Sequence, residues 1–334
     1  MSEATMQAVV AREFGGPEVL RLEEVPRPEP LPTEVLVRVH AAGVNPVDAK
    51  TRQGAGMADV VGDPPLIVGW DVSGVVEEVG FGVTRLQPGD EVVGMPWFPR
   101  RAGAYAEYVT APARQFARKH PDVEHVHAAA LPLAGLTAWQ ALADTAQLQA
   151  GQHVLIHAAG GGVGHLAVQI AKNLGARVSA TASRRHHDWL ASLGADVLID
   201  YQTVELFEEE VEDVDVVLDL LGDGHNFTSR RSLDVLNAGG LVIAVPDGAS
   251  EELQKEAADR GLRAASFLVE PDGHALGRLS RMLGDGHLHT RIERSYPLAD
   301  AAEAHRRIES GRTQGKLVLD LTHDPDPALR VHAG

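Results

Sequence analysis

The sequence predicts an α/β chain in two parts, a β-rich domain and a doubly wound parallel-sheet domain. Three observations carry that prediction. Short Val-laden runs broken by Gly and Pro fill the first third of the chain. From Val123 onward, strand-like and helix-like runs alternate, which implies a parallel sheet covered on both faces. Within 154–178 a glycine-rich turn joins a buried strand to an amphipathic helix. With 334 residues, 44% of them hydrophobic, the chain is long enough to bury two cores on this plan.

In the first part MQAVV (6–10), EVLVRVHAAG (34–43), VSGVVEEVG (72–80), DEVVGM (90–95) and AYAEYV (104–109) read as strands. PRPEPLP (26–32), GDPP (62–65) and QPGDE (87–91) between them are turn chemistry. One short helix is expected after NPVD (45–48). In the second part HAAALPLAGLTAWQAL (127–142) has helical character, and HVLIHAA (153–159) reads as a buried strand. VGHLAVQIAKNLG (163–175) puts Val163, Leu166, Ala167, Ile170, Ala171 and Leu174 on one helical face. RVSATAS (177–183), DVLID (196–200), VDVVLDLLG (214–222) and GLVIAVPDG (240–248) are further strands. DAAEAHRRIESG (300–311) is helical, KLVLDL (316–321) is a closing strand, and the Pro- and Asp-rich THDPDPALRVHAG (322–334) is a loose end.

Lys and Arg number 30 against 47 Asp and Glu, a net charge of −17. Such a surface repels phosphate backbones and anionic lipid, which argues against nucleic acid and membrane as partners. No run approaches the roughly 18 apolar residues of a membrane span, and MSEATMQAVVAREF has neither a basic n-region nor an apolar h-region. The chain contains no cysteine, so structural disulfides and thiolate zinc sites are excluded. A cytoplasmic enzyme is expected.

The turn runs Ala158-x-x-Gly161-x-x-Gly164. Glycines there let the backbone turn tightly and approach a pyrophosphate, while the following helix offers free N–H groups and the positive end of its dipole. Gly160, Gly161, Gly162, Val163 and Gly164 are the predicted seat of a dinucleotide. A site for a ribose 2′-OH carries Asp or Glu about 20 residues on. Here the second strand ends Thr181-Ala182-Ser183-Arg184-Arg185-His186, with no acid before Asp188. The hydroxyl of Ser183 and the guanidiniums of Arg184 and Arg185 suit a 2′-phosphate, so NADPH is expected over NADH. The rival reading leaves the two arginines solvating a helix start.

AAGVNPVDAKTRQG (41–54), GWDVSGVVEEVGFGVTRLQPGDEVVG (69–94), GAYAEYV (103–109), AALPLAGLTAW (129–139), AAGGGVG (158–164), GADVLIDY (194–201) and GKLVLDL (315–321) follow one another in a telling order. Together they resemble the medium-chain dehydrogenase/reductase superfamily, and within it the zinc-free quinone oxidoreductase branch. The resemblance implies a GroES-like substrate domain over 1–121 and 281–334, a Rossmann-type domain over 122–280, and an active cleft between them. It also implies a homodimer formed by edge-strand pairing, for which AASFLVE (264–270) is the candidate edge.

Zinc members of that superfamily have Cys where Asn45 stands and His where Trp70 stands, and they carry a four-cysteine lobe that this sequence lacks. Catalytic zinc needs three protein ligands and an open position, and no other set of histidines replaces them. His153 and His157 are four apart, but on a strand that separation is about 13 Å. His287 and His289 have no third ligand nearby, and the adjacent His186 and His187 point apart. No metal is expected. Zinc would stabilise an alkoxide, whereas a quinone or enone needs less help, because charge from the added hydride delocalises onto its oxygen.

The resemblance sets the segment of Asn45 and Asp48 beside the nicotinamide, Asn45 to bond a substrate oxygen and Asp48 to orient ribose or substrate. Both residues also suit helix capping. Trp70 is either an apolar wall of the cleft or a core aromatic. Thr137, Tyr201, Leu221, Gly222, Phe267 and Val269 match family positions along the cofactor. Thr137 also reads as an ordinary helical threonine, and Tyr201 as an aromatic capping the sheet edge. AKTRQGAGMADV (49–60) lacks the tyrosine that some related enoyl reductases use as proton donor. The expected activity is NADPH-dependent, metal-independent reduction of quinones or α,β-unsaturated carbonyls. A 2-alkenal or enoyl double-bond reductase and a low-turnover NADPH-binding sensor are the alternatives.

Overall fold

Valine-rich runs of the first part pair into two sheets, because β-branched side chains pack well on a pleated surface. In the computed structural model, which describes residues 4–204 and 206–322, the chain divides into two units. The first comprises the described residues up to Leu133, Glu270–Gly286 and those from Thr290 onward. Its strands are β1 (Thr5–Ala11), β2 (Leu20–Pro26), β3 (Glu34–Val44), β4 (Leu66–Ile67), β5 (Val72–Val79), β6 (Glu91–Gly94), β7 (Tyr108–Pro112) and β8 (Phe116–Arg118). The second unit holds β9 to β14, and β15 (Ile292–Pro297) and β16 (Lys316–Asp320) return to the first.

In the first unit β2-β1-β4 make a three-stranded sheet, and β15-β16-β3-β5-β6-β8, with β7 also on β3, make a seven-stranded one. Val35, Val37, Val39, Val72, Val92, Phe116, Leu317 and Leu319 belong to one buried cluster, so the last strand packs into the same core as the early ones. The helix Gly273–Gly284 belongs to this unit, where His120 N donates to Ser280 Oγ over 2.9 Å. The units therefore divide at 133/134 and 269/270, where the sequence reading drew boundaries at 121/122 and 280/281.

In the second unit, Ala134–Val269 with His287–His289, the strands are β9 (His153–Ile156), β10 (Arg177–Ala182), β11 (Val197–Asp200), β12 (Val214–Asp219), β13 (Leu236–Ala244) and β14 (Arg263–Ser266). They form one sheet in the order β11-β10-β9-β12-β13-β14, parallel throughout. The order reverses beside β9, which is where open parallel sheets bind ligands at their carboxyl edge. The segment 287–289 is strapped to the helix Gly164–Asn173 through its backbone. Asn173 Nδ2 donates to His287 O (2.8 Å), and Gln169 exchanges bonds with His289 O (3.0 Å) and N (2.8 Å).

Local differences from the sequence reading have physical causes. In AYAEYV only Tyr108 and Val109 lie in a strand. Upstream, Tyr105 is instead held by backbone bonds to Val9 and Val68 (2.9 and 3.1 Å). β2 is an edge strand whose LRLEEVP pattern is too charged to signal itself. β14 stops at Ser266, so Phe267 and Val269 lie beyond the strand. The loose end from residue 323 onward falls outside the described residues. The helix Gly164–Asn173 is buried from Gly164 to Ala171, more completely than a one-faced pattern implies. Its first residue has no room for a side chain, since a Cβ on Gly164 would lie 2.5 Å from both Ala158 O and Ala159 Cα. Gly164→Ala is expected to destabilise the protein by about 1–3 kcal/mol, the usual cost of overpacking, read as a lower urea midpoint at unchanged m-value. An unchanged midpoint would refute this packing account.

Candidate active site

The first unit gathers a buried polar cluster where β3 runs into the helix Pro46–Arg52. Asn45 ends the strand in extended backbone and Pro46 opens the helix with its φ already suited. Asp48, one turn in, reaches back to cap the same end, accepting from Asn45 N at 2.8 Å. Asn45 is 2% exposed. Its Nδ2 donates to Asp71 Oδ2 at 2.8 Å, and its Oδ1 accepts a short bond from Lys316 Nζ. Lys316 Nζ also donates to Val44 O (3.1 Å) and pairs with Asp71 Oδ2 (3.3 Å). Asp71 Oδ1 accepts from Leu133 N at 2.7 Å. Gly43 makes room for this carboxylate, because a Cβ there would stand 2.5 Å from Asp71 Oδ2.

A second group adjoins the first through Asp48. Tyr105 OH donates to Asp48 Oδ2 at 2.9 Å and lies 3.2 Å from His305 Nε2. Asp48 is fully buried, and burial pushes its carboxyl up to about 7 despite the hydrogen bonds that favour the anion. Burial, and then the Asp48 charge, drives the Tyr105 phenol well above its usual range. Burial, with the Arg52 charge second, drops His305 to about 3, so it is neutral. Arg52 pairs with Glu309. Asp48 Oδ1 and His305 Nδ1 have no partner among the described residues.

Of the three residues read as catalytic, Asn45 and Asp48 come together and Trp70 stands apart from their hydrogen bonds. Asp48 faces the helix end and Tyr105, with no exposed surface to offer a ribose or substrate. Trp70 is 2% exposed, donates its indole N–H to Arg100 O at 2.7 Å and meets Phe98 edge-on at 5.3 Å, as a core aromatic does. Asp71, Tyr105, His305 and Lys316 escaped the sequence reading as site residues. A lone cation opening the apolar run KLVLDL was the available signal for Lys316.

In the second unit the parallel sheet brings the predicted cofactor residues to one edge. Gly160, Gly161, Gly162, Val163 and Gly164 follow β9, and Ser183, Arg184 and Arg185 follow β10. Tyr201 follows β11, Leu221 and Gly222 follow β12, and Phe267 and Val269 follow β14. Thr137 is buried in the helix Pro132–Trp139. His165 Nδ1 lies 2.8 Å from Gly161 O, bracing the turn. The His186 ring covers Gly160, where a Cβ would come within 2.9 Å of it, and Arg185 Nε donates to His186 Nε2 at 3.1 Å. Arg184 and Arg185 are exposed while Ser183 is buried. Leu221 N and Gly222 N both donate to the buried Asp219 (2.8 and 3.2 Å), which fixes that loop by its main chain. The glycine cradle, the helix N-terminus behind it and the basic pair after β10 fit a nicotinamide dinucleotide.

The same residues do not fit a catalytic zinc. An amide stands at 45, an indole nitrogen has no lone pair to give at 70, and no group of three or more His, Cys, Asp or Glu among the described residues converges as a ligand set. His153 Nε2 instead meets Ser179 Oγ (2.8 Å), and His157 bridges Thr181 and Ser232 hydroxyls (3.2 and 3.0 Å). Burial holds His157 down at about 4, neutral within the sheet core.

Residues 31–122 match the family model described as alcohol dehydrogenase GroES-like domain, and 193–319 the one described as zinc-binding dehydrogenase. A 2-haloacrylate reductase from Burkholderia sp is 35% identical, covering 94% of this chain and 98% of its own. The chloroplastic NADPH-dependent alkenal/one oxidoreductase of Arabidopsis thaliana is 34% identical, over 94% and 79%. The structure of the quinone oxidoreductase from Coxiella burnetii superposes with a TM-score of 0.88 at 37% identity, over 95% and 100%. With this fold, this cofactor edge and these relatives, the chain belongs to the medium-chain dehydrogenase/reductase superfamily, in its zinc-free quinone oxidoreductase-like branch, and is a nicotinamide-dependent oxidoreductase.

Proposed function

We propose that the protein reduces quinones or related α,β-unsaturated carbonyls with NADPH, by direct hydride transfer and without a metal. The second unit serves as the cofactor domain and the first as the substrate domain. Asn45 is the observation that carries this reading. Its Oδ1 and one Nδ2–H are committed to Lys316 and Asp71, and its second Nδ2–H has no acceptor among the described residues. A buried amide N–H with no acceptor is costly, and a conjugated carbonyl oxygen satisfies it.

Reduced nicotinamide supplies the hydride. As hydride reaches the conjugated acceptor, negative charge grows on the acceptor oxygen, and a preorganised neutral donor stabilises it. Water completes the reaction with a proton. Relatives are named for a haloacrylate and for alkenals and enones, compounds whose C=C bonds are conjugated with a carbonyl, which supports the conjugated class over simple ketones. Asp48 is a positioning residue that fixes the backbone of Asn45, and Trp70 is packed as a core aromatic. Ser183, Arg184 and Arg185 select the 2′-phosphate. β14, paired on one side only and at the end of its sheet, is the edge for a homodimer.

Three measurements test these assignments. NADPH oxidation with a benzoquinone and with an alkenone is expected to survive metal chelation. Replacing Arg184 and Arg185 by Ala raises KM for NADPH about tenfold per arginine lost, the worth of a charge-assisted bond, and leaves kcat/KM with NADH unchanged. Turnover lost on chelation, or both cofactors affected alike, refutes the respective assignment. The dimer predicts twice the chain mass by light scattering, against a single chain mass if β14 stays unpaired.

Asp48 gives a pH-dependent test. The folded state keeps this proton up to about pH 7, whereas an unfolded chain loses it near pH 4. Between those values the folded state binds the extra proton, so stability falls as pH rises through the window. Asp48→Asn keeps an acceptor for Asn45 N and Tyr105 OH without ionising. Its Tm is expected to match wild type near pH 4 and to exceed it above pH 7, by at most about 4 kcal/mol in stability. Parallel Tm curves across that range would show that Asp48 does not titrate there.

A further inference from the structure

Lys316 is a buried cation for which the hydride-transfer reading alone has no use. It opens β16, where the next residue, Leu317, pairs with Val44 of β3, and it is 2% exposed. Its three ammonium protons have three acceptors: Val44 O at 3.1 Å, Asp71 Oδ2 at 3.3 Å, and Asn45 Oδ1 in a short bond. Asp71 is equally spoken for, by Lys316, by Asn45 Nδ2 at 2.8 Å and by Leu133 N at 2.7 Å.

This arrangement dictates which way the Asn45 amide faces. Turning the amide over would set its NH2 group against the ammonium and its oxygen against the carboxylate, two repulsive contacts in place of two attractive ones. The free Nδ2–H therefore has one direction. The ammonium on Oδ1 also draws electron density toward the amide oxygen, which leaves the nitrogen protons more positive, and low-dielectric surroundings strengthen that coupling. Asp71 pulls the other way on the nitrogen, but it occupies only one of the two N–H bonds and its main effect is to hold the plane of the amide.

We propose that Lys316 is a positioning residue for the reaction: its ammonium orients and polarises the Asn45 amide so that the free Nδ2–H stabilises charge on the acceptor oxygen. The inference rests on the role given to Asn45 under the proposed function. The Lys316 charge, balanced by Asp71, reaches the substrate only through the Asn45 amide.

A double-mutant cycle tests it, with NADPH and a benzoquinone as substrates and with Tm and NADPH affinity checking the fold of each variant. Asn45→Ala is expected to lower kcat about a hundredfold, the scale of losing one oxyanion donor. Lys316→Met lowers kcat about tenfold or more and leaves KM for NADPH unchanged. In the Asn45→Ala background Lys316→Met costs nothing further in kcat, because its effect passes through the amide. An equal loss in both backgrounds means that Lys316 acts on structure alone and overturns the inference. Slow Asn45→Ala with fully active Lys316→Met also overturns it, while leaving the reading of Asn45 intact. A fully active Asn45→Ala overturns that reading, and the inference with it. If Lys316→Met fails to fold because Asp71 is left unpaired, Lys316→Met with Asp71→Asn removes both charges, and the same comparison with and without Asn45→Ala decides the matter.

Discussion

A carboxylate with no exposed surface ties four stretches of the first unit together. Asp71 receives a backbone N–H from Leu133, a side-chain amide from Asn45 and an ammonium from Lys316, and Gly43 leaves it the space to do so. Burying an ion costs several kcal/mol unless hydrogen bonds and a countercharge offset it. Each of these partners is therefore an obligation on the fold: β3 must end where it does, β16 must lie beside it, and the chain at residue 133 must present its amide. The orientation of the Asn45 side chain follows from these obligations, while Pro46 and Asp48 set its backbone.

The second unit depends on a different constraint, the parallel order of its strands. In a parallel sheet every strand delivers its carboxyl end to the same edge, so the segments after β9 to β14 line up along that edge although they are far apart in sequence. The glycines after β9 matter mainly for what they avoid. Gly164 lets the helix sit against the strand it leaves, and Gly160 leaves room for the His186 ring against the turn. The main-chain bonds from Leu221 and Gly222 to Asp219 keep the next loop in place without using side chains that a ligand would need.

Much of this was legible in the sequence, and the reason is periodicity. Strand–turn–helix at 154–173 and the basic pair after the next strand are local patterns, readable within a few dozen residues, whereas the missing zinc ligands come from the family resemblance. Lys316 and Asp71 were not legible, since they lie 245 residues apart and neither disturbs the pattern around it. Tyr105 and His305 are 200 residues apart, and each reads alone as an ordinary strand or helix residue. Asp48 shows the other limit. Its position suits both capping and ligand contact, and only its burial, with Tyr105 on the far side, separates the two. AYAEYV misled because alternation of apolar residues says nothing about which backbone groups already have partners.

The strand that carries Lys316 has an implication for the order of events as the chain is made. Asn45 and Asp71 leave the ribosome early, and until β16 arrives the carboxylate has no countercharge to be buried with. The amide of Asn45 then has only the Asp71 carboxylate to orient it, and the early strands have an open flank along β3. The polar centre of the first unit therefore cannot close until residue 316 has been made. Docking of β16, closing of the sheet and orientation of the Asn45 amide are one event.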